Sequence, residues 1–526
     1  MRFSAHLWLV TASAIALFHT SLPAAIAYPP PEDQQATLSV TRHTMQIGGR
    51  ELHYRATAGY LPVRDHVDKP LADIFFVAYE REDVDSSEVS DLTRVAPPGG
   101  PTVGGGAASS LRARPLTFAF NGGPGASAVW LHMGALGPRR AVLGGEGTAL
   151  PASDALMDNE FTWLEFTDLV FVDPVGTGFS RAAPGIEARQ FYEVQKDIEI
   201  NGAFIRLFVT DHARWLSPQF IVGESYGATR AAAMVRHLQD RYALYLDGLL
   251  LLSAALNLAT VSFDPGNDLP YVLALPSYTA VASYHGLRAE KPSLNLEKGL
   301  ERVRTWALED YAAALALGSA LPEARFRETA KRLAEYTGLP EETVVQNHLR
   351  ISSFTFGQQL LAHPQQVLGL LDGRVTTAAG GPDRRRYTDP SLFVVQGPFV
   401  ATFNSYVRSD LGFRTERTYI FLSEEANQSW DWGPGQRGYL NVAPALAEAM
   451  SLDNRLRVFA AAGIYDLATP FLSQEYVLNH LDLAGNLRRN ITFRLYSGGH
   501  QIYTSPESLR QLSRDVKAFM AGPEAR

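Results

Sequence analysis

The chain of 526 residues contains no cysteine, so it has no disulfide bonds and no thiolate metal site. Its stability must come from a buried core, and the chain is long enough for a large one. Apart from Arg384-Arg385-Arg386, which is interpreted as a solvated loop, no basic run is visible, and the formal net charge is −8. Nucleic acids and anionic membranes bind basic patches, so neither is expected as a partner. Hydrophobic residues make up 46% of the chain, which is typical of a globular protein.

Long apolar runs are also lacking, and the longest lies near the N-terminus. Arg2 is followed by an apolar stretch from Leu7 to Leu17 and by the small-residue series Pro23 to Ala27. This is the arrangement of a secretory signal peptide, and it is too short for a comfortable membrane span. We expect cleavage after Ala27, no integral membrane segment in the mature chain, and a periplasmic or extracellular location.

Short apolar runs along the chain predict one sheet interrupted by helices. Alternating runs from Leu38 to Glu82 predict N-terminal antiparallel strands, and a Pro- and Gly-rich loop follows at 95–110. Later runs, separated by enough residues for crossover helices, predict parallel strands. They are Leu116 to Phe120, Leu169 to Val172, Phe220 to Val222, Leu249 to Leu252, Val458 to Ala462 and Ile491 to Tyr496.

A helical stretch separates the last two of these runs from the others. It includes Val303 to Leu317, Glu323 to Tyr336 and Glu341 to Leu349. The expected organisation is therefore a signal peptide (1–27), the first part of an α/β core (28–263), a helical insertion (264–415) and the second part of the core (416–526).

The string Gly223-Glu224-Ser225-Tyr226-Gly227 is the most informative motif. It lies between an apolar run and a helix-forming stretch from Ala228 to Leu238. A strand, a sharp turn and a helix in this order form a nucleophile elbow, in which glycines permit close backbone contact and the serine oxygen is exposed. The motif favours Ser225 as a hydrolytic nucleophile, provided that it has partners.

A nucleophilic serine needs a histidine base and a carboxylate that orients the base. In folds with this elbow, the acid and then the histidine follow the serine along the chain. Asp466 comes just after one C-terminal apolar run, and His500 comes after the other, behind Gly498-Gly499. We predict these two as the partners, and we interpret the neighbouring Asp453 and Asp482 as surface turn residues.

The reaction also needs donors for the oxyanion of the tetrahedral intermediate. The candidates are the Tyr226 amide and an amide of Asn121-Gly122-Gly123-Pro124-Gly125, which directly follows a predicted strand. A glycine-rich loop is an alternative phosphate cradle, but no Lys-Ser/Thr pair follows this one.

Five strings in order resemble those of the serine carboxypeptidase family. They are Asn121 to Gly125, Asp173 to Ser180, Gly223 to Tyr226, Gly463 to Leu467 and Gly498 to His500. The resemblance implies an α/β-hydrolase fold with a mostly parallel sheet and a helical cap. It further implies Ser225 as nucleophile, Asp466 as orienting acid, His500 as base, and the Gly123 and Tyr226 amides as oxyanion hole. Asn121, Gly122 and Glu224 would bind substrate, and no metal or cofactor is needed.

Other positions depart from the family pattern. Members that remove C-terminal residues bind the substrate carboxylate with a tryptophan, an asparagine and two glutamates. Here Ala119 and Ala135 replace the tryptophan and one glutamate, and Tyr503 lies in a stretch after the histidine that also differs. Without the paired glutamates, a strongly acidic pH optimum is not expected. His132, Arg139 or Arg140 could compensate, although packing or surface roles are the simpler interpretation.

The sequence therefore predicts a secreted serine peptidase that acts on peptides, through an acyl-enzyme and at the C-terminus. Two alternatives stay open. One is an esterase or acyltransferase with the same triad, and the other is a non-catalytic envelope binding protein on a hydrolase scaffold. Side-chain specificity and oligomeric state are not predicted.

Overall fold

The computed structural model describes residues 38–82, 114–143, 156–287, 296–363, 365–379, 389–433 and 440–522. The predicted signal peptide, the Pro- and Gly-rich loop at 95–110 and the Arg384 to Arg386 cluster lie outside these ranges. No helix within them is both long and apolar enough to cross a membrane.

One ten-stranded sheet forms the centre of the protein, and two small hairpins, β5 with β6 and β11 with β12, accompany it. The strands are β1 Ser39–Ile47, β2 Arg50–Arg64, β3 Pro70–Glu82, β4 Leu116–Phe120, β5 Arg139–Ala141, β6 Leu156–Asp158, β7 Asp168–Val172, β8 Arg181–Ala182, β9 Gln219–Glu224, β10 Gly248–Leu252, β11 Gln366–Leu368, β12 Thr376–Ala378, β13 Arg457–Gly463 and β14 Ile491–Tyr496. All six apolar runs predicted as parallel strands are strands of the large sheet.

The strand order is β1-β2-β3-β7-β4-β9-β10-β13-β14, with β8 paired to β3. The first three strands are antiparallel, as the N-terminal alternation predicted, and β3 also runs antiparallel to β7. From β7 to β14 all neighbours are parallel. The carboxyl ends of these six strands therefore meet at one edge, where open α/β sheets bind their ligands.

Some helices cover the two faces of this sheet, and others pack together in the segment between β10 and β13. They are α1 Val129–Leu131, α2 Val194–Asp211, α3 Tyr226–Tyr242, α4 Leu269–Tyr284, α5 Leu296–Trp306, α6 Ala312–Leu317, α7 Glu323–Thr337, α8 Glu341–Gln346, α9 Ser353–Gln359, α10 Pro390–Ser409, α11 Glu424–Gln428, α12 Ala443–Leu452, α13 Phe471–Asn479 and α14 Pro506–Ala521. Between α5 and α6 the predicted helix is interrupted by a π turn, Ala307–Tyr311.

The pleat of the sheet divides its side chains between two cores. In β4, Phe118 belongs to the core beneath α2, α3 and α12, whereas Ala119 belongs to the core beneath α10 and α14. Both faces of the central strands are thus buried, which explains why these strands appear in the sequence as continuous apolar runs.

The segment between β10 and β13 contains the helices α4 to α12 and the hairpin β11–β12. Most of its helices share a third core, which also includes Ala462 and Leu467 from the end of β13. The helical insertion is therefore packed directly against the chain that leads to Asp466.

Candidate active site

Ser225 lies on a sharp turn between β9 and α3. Its backbone has φ 59° and ψ −126°, a positive-φ conformation that is rare for residues other than glycine and costs about 1–3 kcal/mol. Hydrogen bonds hold the turn in place, because the Ser225 amide donates to the Leu252 carbonyl (3.0 Å) and the Ala228 amide donates to the Ser225 carbonyl (3.0 Å). The serine is partly exposed, while its neighbours on both sides are buried.

Glycines allow the backbone to close around this turn. A Cβ at Gly223 would lie 2.2 Å from the Gly227 carbonyl oxygen, and one at Gly227 would lie 2.3 Å from that of Phe120. Neither position has room for a side chain, so the two glycines of the predicted elbow are required by close approach.

His500 and Asp466 meet at the carboxyl edge of the sheet. His500 Nδ1 lies 2.7 Å from Asp466 Oδ2, and both side chains are buried. A carboxylate at Nδ1 places the ring proton on that nitrogen and leaves Nε2 free to accept a proton. Burial alone would lower the pKa of His500, but the Asp466 carboxylate raises it above 6.5. The structure thus brings the predicted base and acid together.

Backbone contacts hold these two loops beside the elbow. Ser253, which follows β10, donates its hydroxyl to the His500 carbonyl at 2.7 Å. Leu252, the residue before Ser253, accepts the Ser225 amide through its carbonyl. The serine turn and the His500 loop are therefore both bonded to the C-terminal end of β10. Among the described residues, Ser225 Oγ makes no hydrogen bond to His500. Such catalytic bonds are often long before substrate binds.

Thr469 is a site residue that the sequence analysis missed. Its hydroxyl lies 2.7 Å from Asp466 Oδ2, 3.1 Å from His500 Nδ1 and 3.0 Å from the Ser253 carbonyl oxygen. Its amide also donates to Asp466 Oδ1 at 2.9 Å, beside the Ala468 amide at 2.8 Å. A hydroxyl residue three positions after an aspartate is a known local turn pattern, and this was the available signal.

The helical insertion reaches both loops through the segment 370–373, which we call the bridging segment. The Leu371 carbonyl accepts the His500 amide at 2.5 Å, and the Leu370 carbonyl accepts the Leu467 amide at 2.9 Å. A third bond runs from the Gly373 amide to the Tyr465 carbonyl, at 3.0 Å. One short piece of the insertion therefore bonds to the residues on either side of Asp466 and to His500 itself.

The glycine-rich loop after β4 lies directly against the elbow. A Cβ at Gly122 would lie 2.6 Å from the Tyr226 nitrogen and 2.9 Å from Ser225 Cβ. Gly123 has φ +98°, a conformation suited to glycine. No acceptor is found for the amides of Gly123 and Tyr226 within the described ranges. Two unbonded donors thus flank the serine.

Arg230 holds the glycine-rich loop in place through buried hydrogen bonds. Its guanidinium is buried and donates to the Asn121 carbonyl at 2.8 Å and to Asp197 at 2.7 Å. Because Arg230 belongs to the helix that begins after Ser225, it joins the elbow and the loop into one unit.

Glu224, which directly precedes the serine, contacts Asn121 of the glycine-rich loop. Asn121 Nδ2 donates to Glu224 Oε1 at 3.1 Å, and Asn121 Oδ1 accepts the Leu131 amide at 3.0 Å. Burial raises the pKa of Glu224 to about 7, although His500, Tyr503 and Asn121 act against it. Glu224 Oε2 and the Tyr503 hydroxyl have no hydrogen-bond partner in the described part of the chain.

His132 and Arg139 were considered as replacements for the glutamate whose position is taken by Ala135, but both make other contacts. His132 lies 2.8 Å from the Tyr79 hydroxyl and stacks on Phe171, and burial lowers its pKa to about 3, so its ring is neutral. Arg139 pairs with Asp158 at 3.4 Å. These contacts are those of packing and pairing residues.

Of the two neighbouring aspartates, Asp482 is exposed, as expected. Asp453 is not a surface residue, because it is buried at the end of α12, where its carboxylate bonds Arg455. This correction leaves Asp466 as the aspartate at the histidine.

Known proteins resemble this chain over part of its length. Residues 107–261 match the family model described as serine carboxypeptidase. The pheromone-processing carboxypeptidase KEX1 of Verticillium alfalfae is 32% identical over 124 residues, which cover 23% of this chain and 18% of that protein. Serine carboxypeptidase-like 33 of Arabidopsis thaliana is 30% identical over 142 residues, covering 24% of this chain and 26% of that protein. The match therefore spans about a quarter or less of these relatives.

A crystal structure of KEX1(delta)p, a prohormone-processing carboxypeptidase from Saccharomyces cerevisiae, superposes with a TM-score of 0.52 at 15% identity. The superposition covers 89% of this chain and 91% of that one. The matched segment 107–261 includes the glycine-rich loop and Ser225, whereas Asp466 and His500 lie beyond it. The structural match confirms the predicted α/β-hydrolase fold. The sequence likeness to serine carboxypeptidases is confined to the segment around the glycine-rich loop and Ser225.

Proposed function

We propose that the protein is a secreted serine-type carboxypeptidase that hydrolyses peptides through an acyl-enzyme, with Ser225, His500 and Asp466 as its triad. The observation that carries this proposal is the serine on a positive-φ turn, flanked by two unbonded amides, at the same carboxyl edge of the sheet where His500 meets Asp466. A buried histidine–aspartate pair could be structural, but a strained serine at the same edge has no evident structural purpose.

In the proposed acylation step, Ser225 Oγ attacks the carbonyl carbon of the scissile peptide bond, and His500 Nε2 takes the hydroxyl proton. The charge that develops on the carbonyl oxygen is stabilised by the Gly123 and Tyr226 amides. The C–N bond then breaks, and His500 gives the proton to the leaving amine. In deacylation, water attacks the ester carbon, His500 accepts its proton, and Ser225 leaves with that proton.

The aspartate holds the histidine ready for both steps. Asp466 stabilises the positive charge that His500 carries in each transition state, while the Thr469 hydroxyl and two amides hold the carboxylate in its orientation. No metal or cofactor is needed for this chemistry.

Action at the C-terminus is proposed from the names of the relatives and from the position of Asn121, Gly122 and Glu224 next to Ser225. Export is proposed from residues 1–27 of the sequence alone. The division of the chain at 263 and 415 also remains a proposal.

An active-site-directed phosphonate tests the catalytic part of the proposal. Wild type should be labelled once, on Ser225, and the variants Ser225→Ala and His500→Ala should not be labelled. A matched control is Ser409→Ala, which removes an exposed hydroxyl at the end of α10, away from the site, and should still be labelled. Folded wild type that is not labelled would contradict a catalytic serine and favour a binding protein on a hydrolase scaffold.

The second experiment concerns the end of the peptide. A blocked dipeptide with a free C-terminal carboxylate is compared with its C-terminal amide and with a simple ester. A carboxypeptidase should prefer the free acid, while equal kcat/KM on the acid and the amide would contradict C-terminal selectivity. A preference for the ester alone would support the esterase alternative.

A further inference from the structure

Two unpaired polar atoms lie together beside the nucleophile. The side chains of Tyr503 and Glu224 are 3% and 4% exposed, and neither the hydroxyl of the first nor Oε2 of the second has a hydrogen bond within the described ranges. Buried polar atoms in folded proteins are nearly always paired. Two exceptions at one place indicate a site that a ligand completes.

The two groups are close in space. Burial raises the pKa of the Tyr503 hydroxyl, and the nearby Glu224 carboxyl raises it further, while the hydroxyl lowers the pKa of Glu224. The Asn121 amide also acts on both groups. Glu224 directly precedes Ser225, and Tyr503 lies three residues after His500, so the cluster is attached to the nucleophile and to the base.

Packing fixes the ring of Tyr503 in this position. A Cβ at Gly134 would lie 2.5 Å from Tyr503 Cε2 and 3.0 Å from Phe399 Cζ. The ring therefore fills the space that the absence of a side chain at Gly134 leaves.

The cluster presents more donors than acceptors. The Tyr503 hydroxyl can donate once, a protonated Glu224 carboxyl can donate once, and Asn121 Nδ2 has a second hydrogen besides the one given to Glu224. A carboxylate only accepts hydrogen bonds, and it has two oxygens to offer. When the last peptide bond of a substrate is cleaved, the C-terminal residue carries a carboxylate beside the scissile bond.

We propose that Tyr503 determines specificity by donating its hydroxyl, together with Glu224 and Asn121, to the C-terminal carboxylate of the substrate. This inference rests on the proposed carboxypeptidase function and extends it. The site binds an anion with uncharged donors. Tyr503 supplies the donor that the second glutamate would have supplied, because this chain has Ala135 at that glutamate's position.

Steady-state kinetics of Tyr503→Phe test the inference. The substrates are a blocked dipeptide with a free C-terminal carboxylate and the same dipeptide as its amide, with cleavage of the same peptide bond followed in each. Loss of one donor should raise KM for the free acid about tenfold and leave kcat within about twofold. For the amide, both constants should stay within about twofold of wild type.

Two further measurements separate recognition from packing. Without substrate, Tyr503→Phe should not lower the midpoint of thermal unfolding, because the hydroxyl makes no hydrogen bond of ordinary geometry that the variant would remove. Tyr278→Phe is the matched control, since Tyr278 is equally buried but bonds the Ile351 carbonyl and Ser353 inside the helical insertion. It should lower the midpoint and leave KM for both substrates unchanged.

An unchanged KM for the free acid in Tyr503→Phe, or an equal rise for acid and amide, would overturn the inference. So would a lowered unfolding midpoint, which would reveal a structural hydrogen bond. These outcomes differ from failure of the proposed function, because wild type labelled by phosphonate keeps its catalytic serine whatever Tyr503 does. If wild type is neither labelled nor active, the proposed function fails instead.

Discussion

The buried carboxyl group of Glu224 should make the stability of the protein depend on pH. An ordinary glutamate has a pKa of 4.5, and burial raises that of Glu224 to about 7 in the folded state. Between these values the folded protein keeps a proton that the unfolded chain has lost. The free energy of unfolding therefore falls as the pH rises through this window. The stability that Glu224 contributes is fully present only below pH 4.5.

The size of the effect follows from the shift. A pKa raised from 4.5 to about 7 corresponds to about 3 kcal/mol of stability lost by pH 8. In Glu224→Gln the side chain has the same shape and no charge at any pH. The variant should thus be within about 1 kcal/mol of wild type at pH 5 and about 3 kcal/mol more stable at pH 8.

Urea unfolding followed by tryptophan fluorescence measures this gap. Burial also raises the pKa of Asp173 to about 7, but that group is present in both proteins and cancels in the comparison. Asp482→Asn, which removes an exposed carboxylate, serves as the control and should show the same gap at both pH values. A gap between Glu224→Gln and wild type that does not grow with pH would refute the reasoning.

Three other predictions concern catalysis. For an amide substrate, kcat/KM should fall as the pH drops through the raised pKa of His500, because the base must be neutral. For a free-acid substrate, kcat/KM should also fall above about pH 7, where Glu224 loses its proton. A pH profile with the same shape for both substrates would contradict this role of Glu224. Thr469→Val should lower kcat about tenfold, because Asp466 loses a hydroxyl donor, and Thr469→Ser should restore it; failure of the serine variant to recover activity would count against the hydroxyl. Ser225→Gly should be inactive but about 1 kcal/mol more stable than wild type, since glycine relieves the positive φ, whereas Ser225→Ala should show no such gain in denaturant unfolding.

The strands of the central sheet could be predicted because their signal is local. A run such as Leu249 to Leu252 is apolar throughout, and in the structure β10 is buried on both faces between parallel neighbours. The elbow was equally predictable, because its glycines and serine are adjacent in the sequence and each is required by the same turn. Asp466 and His500 could be proposed as partners from their order after two such strands, and the structure places their side chains in contact.

Contacts between distant segments were not predictable. Nothing in the sequence around Tyr503 shows that its ring packs on Gly134, more than 350 residues earlier, because that contact depends on how two loops meet. The Arg230 bond to Asn121 crosses 109 residues, and the bridging segment reaches His500 from the middle of the insertion. Such contacts are made by single carbonyls, amides and hydroxyls, which leave no periodic pattern.

The bridging segment has a consequence for how this protein can be engineered. Since the carbonyls of Leu370 and Leu371 accept amides from Leu467 and His500, the geometry of the acid and the base is set partly by residues of the insertion. An exchange of the whole insertion for that of another protein with this fold would replace these acceptors. A chimera therefore has to retain the native segment 370–373, or the two loops lose the backbone bonds that align them, however well the new helices fold.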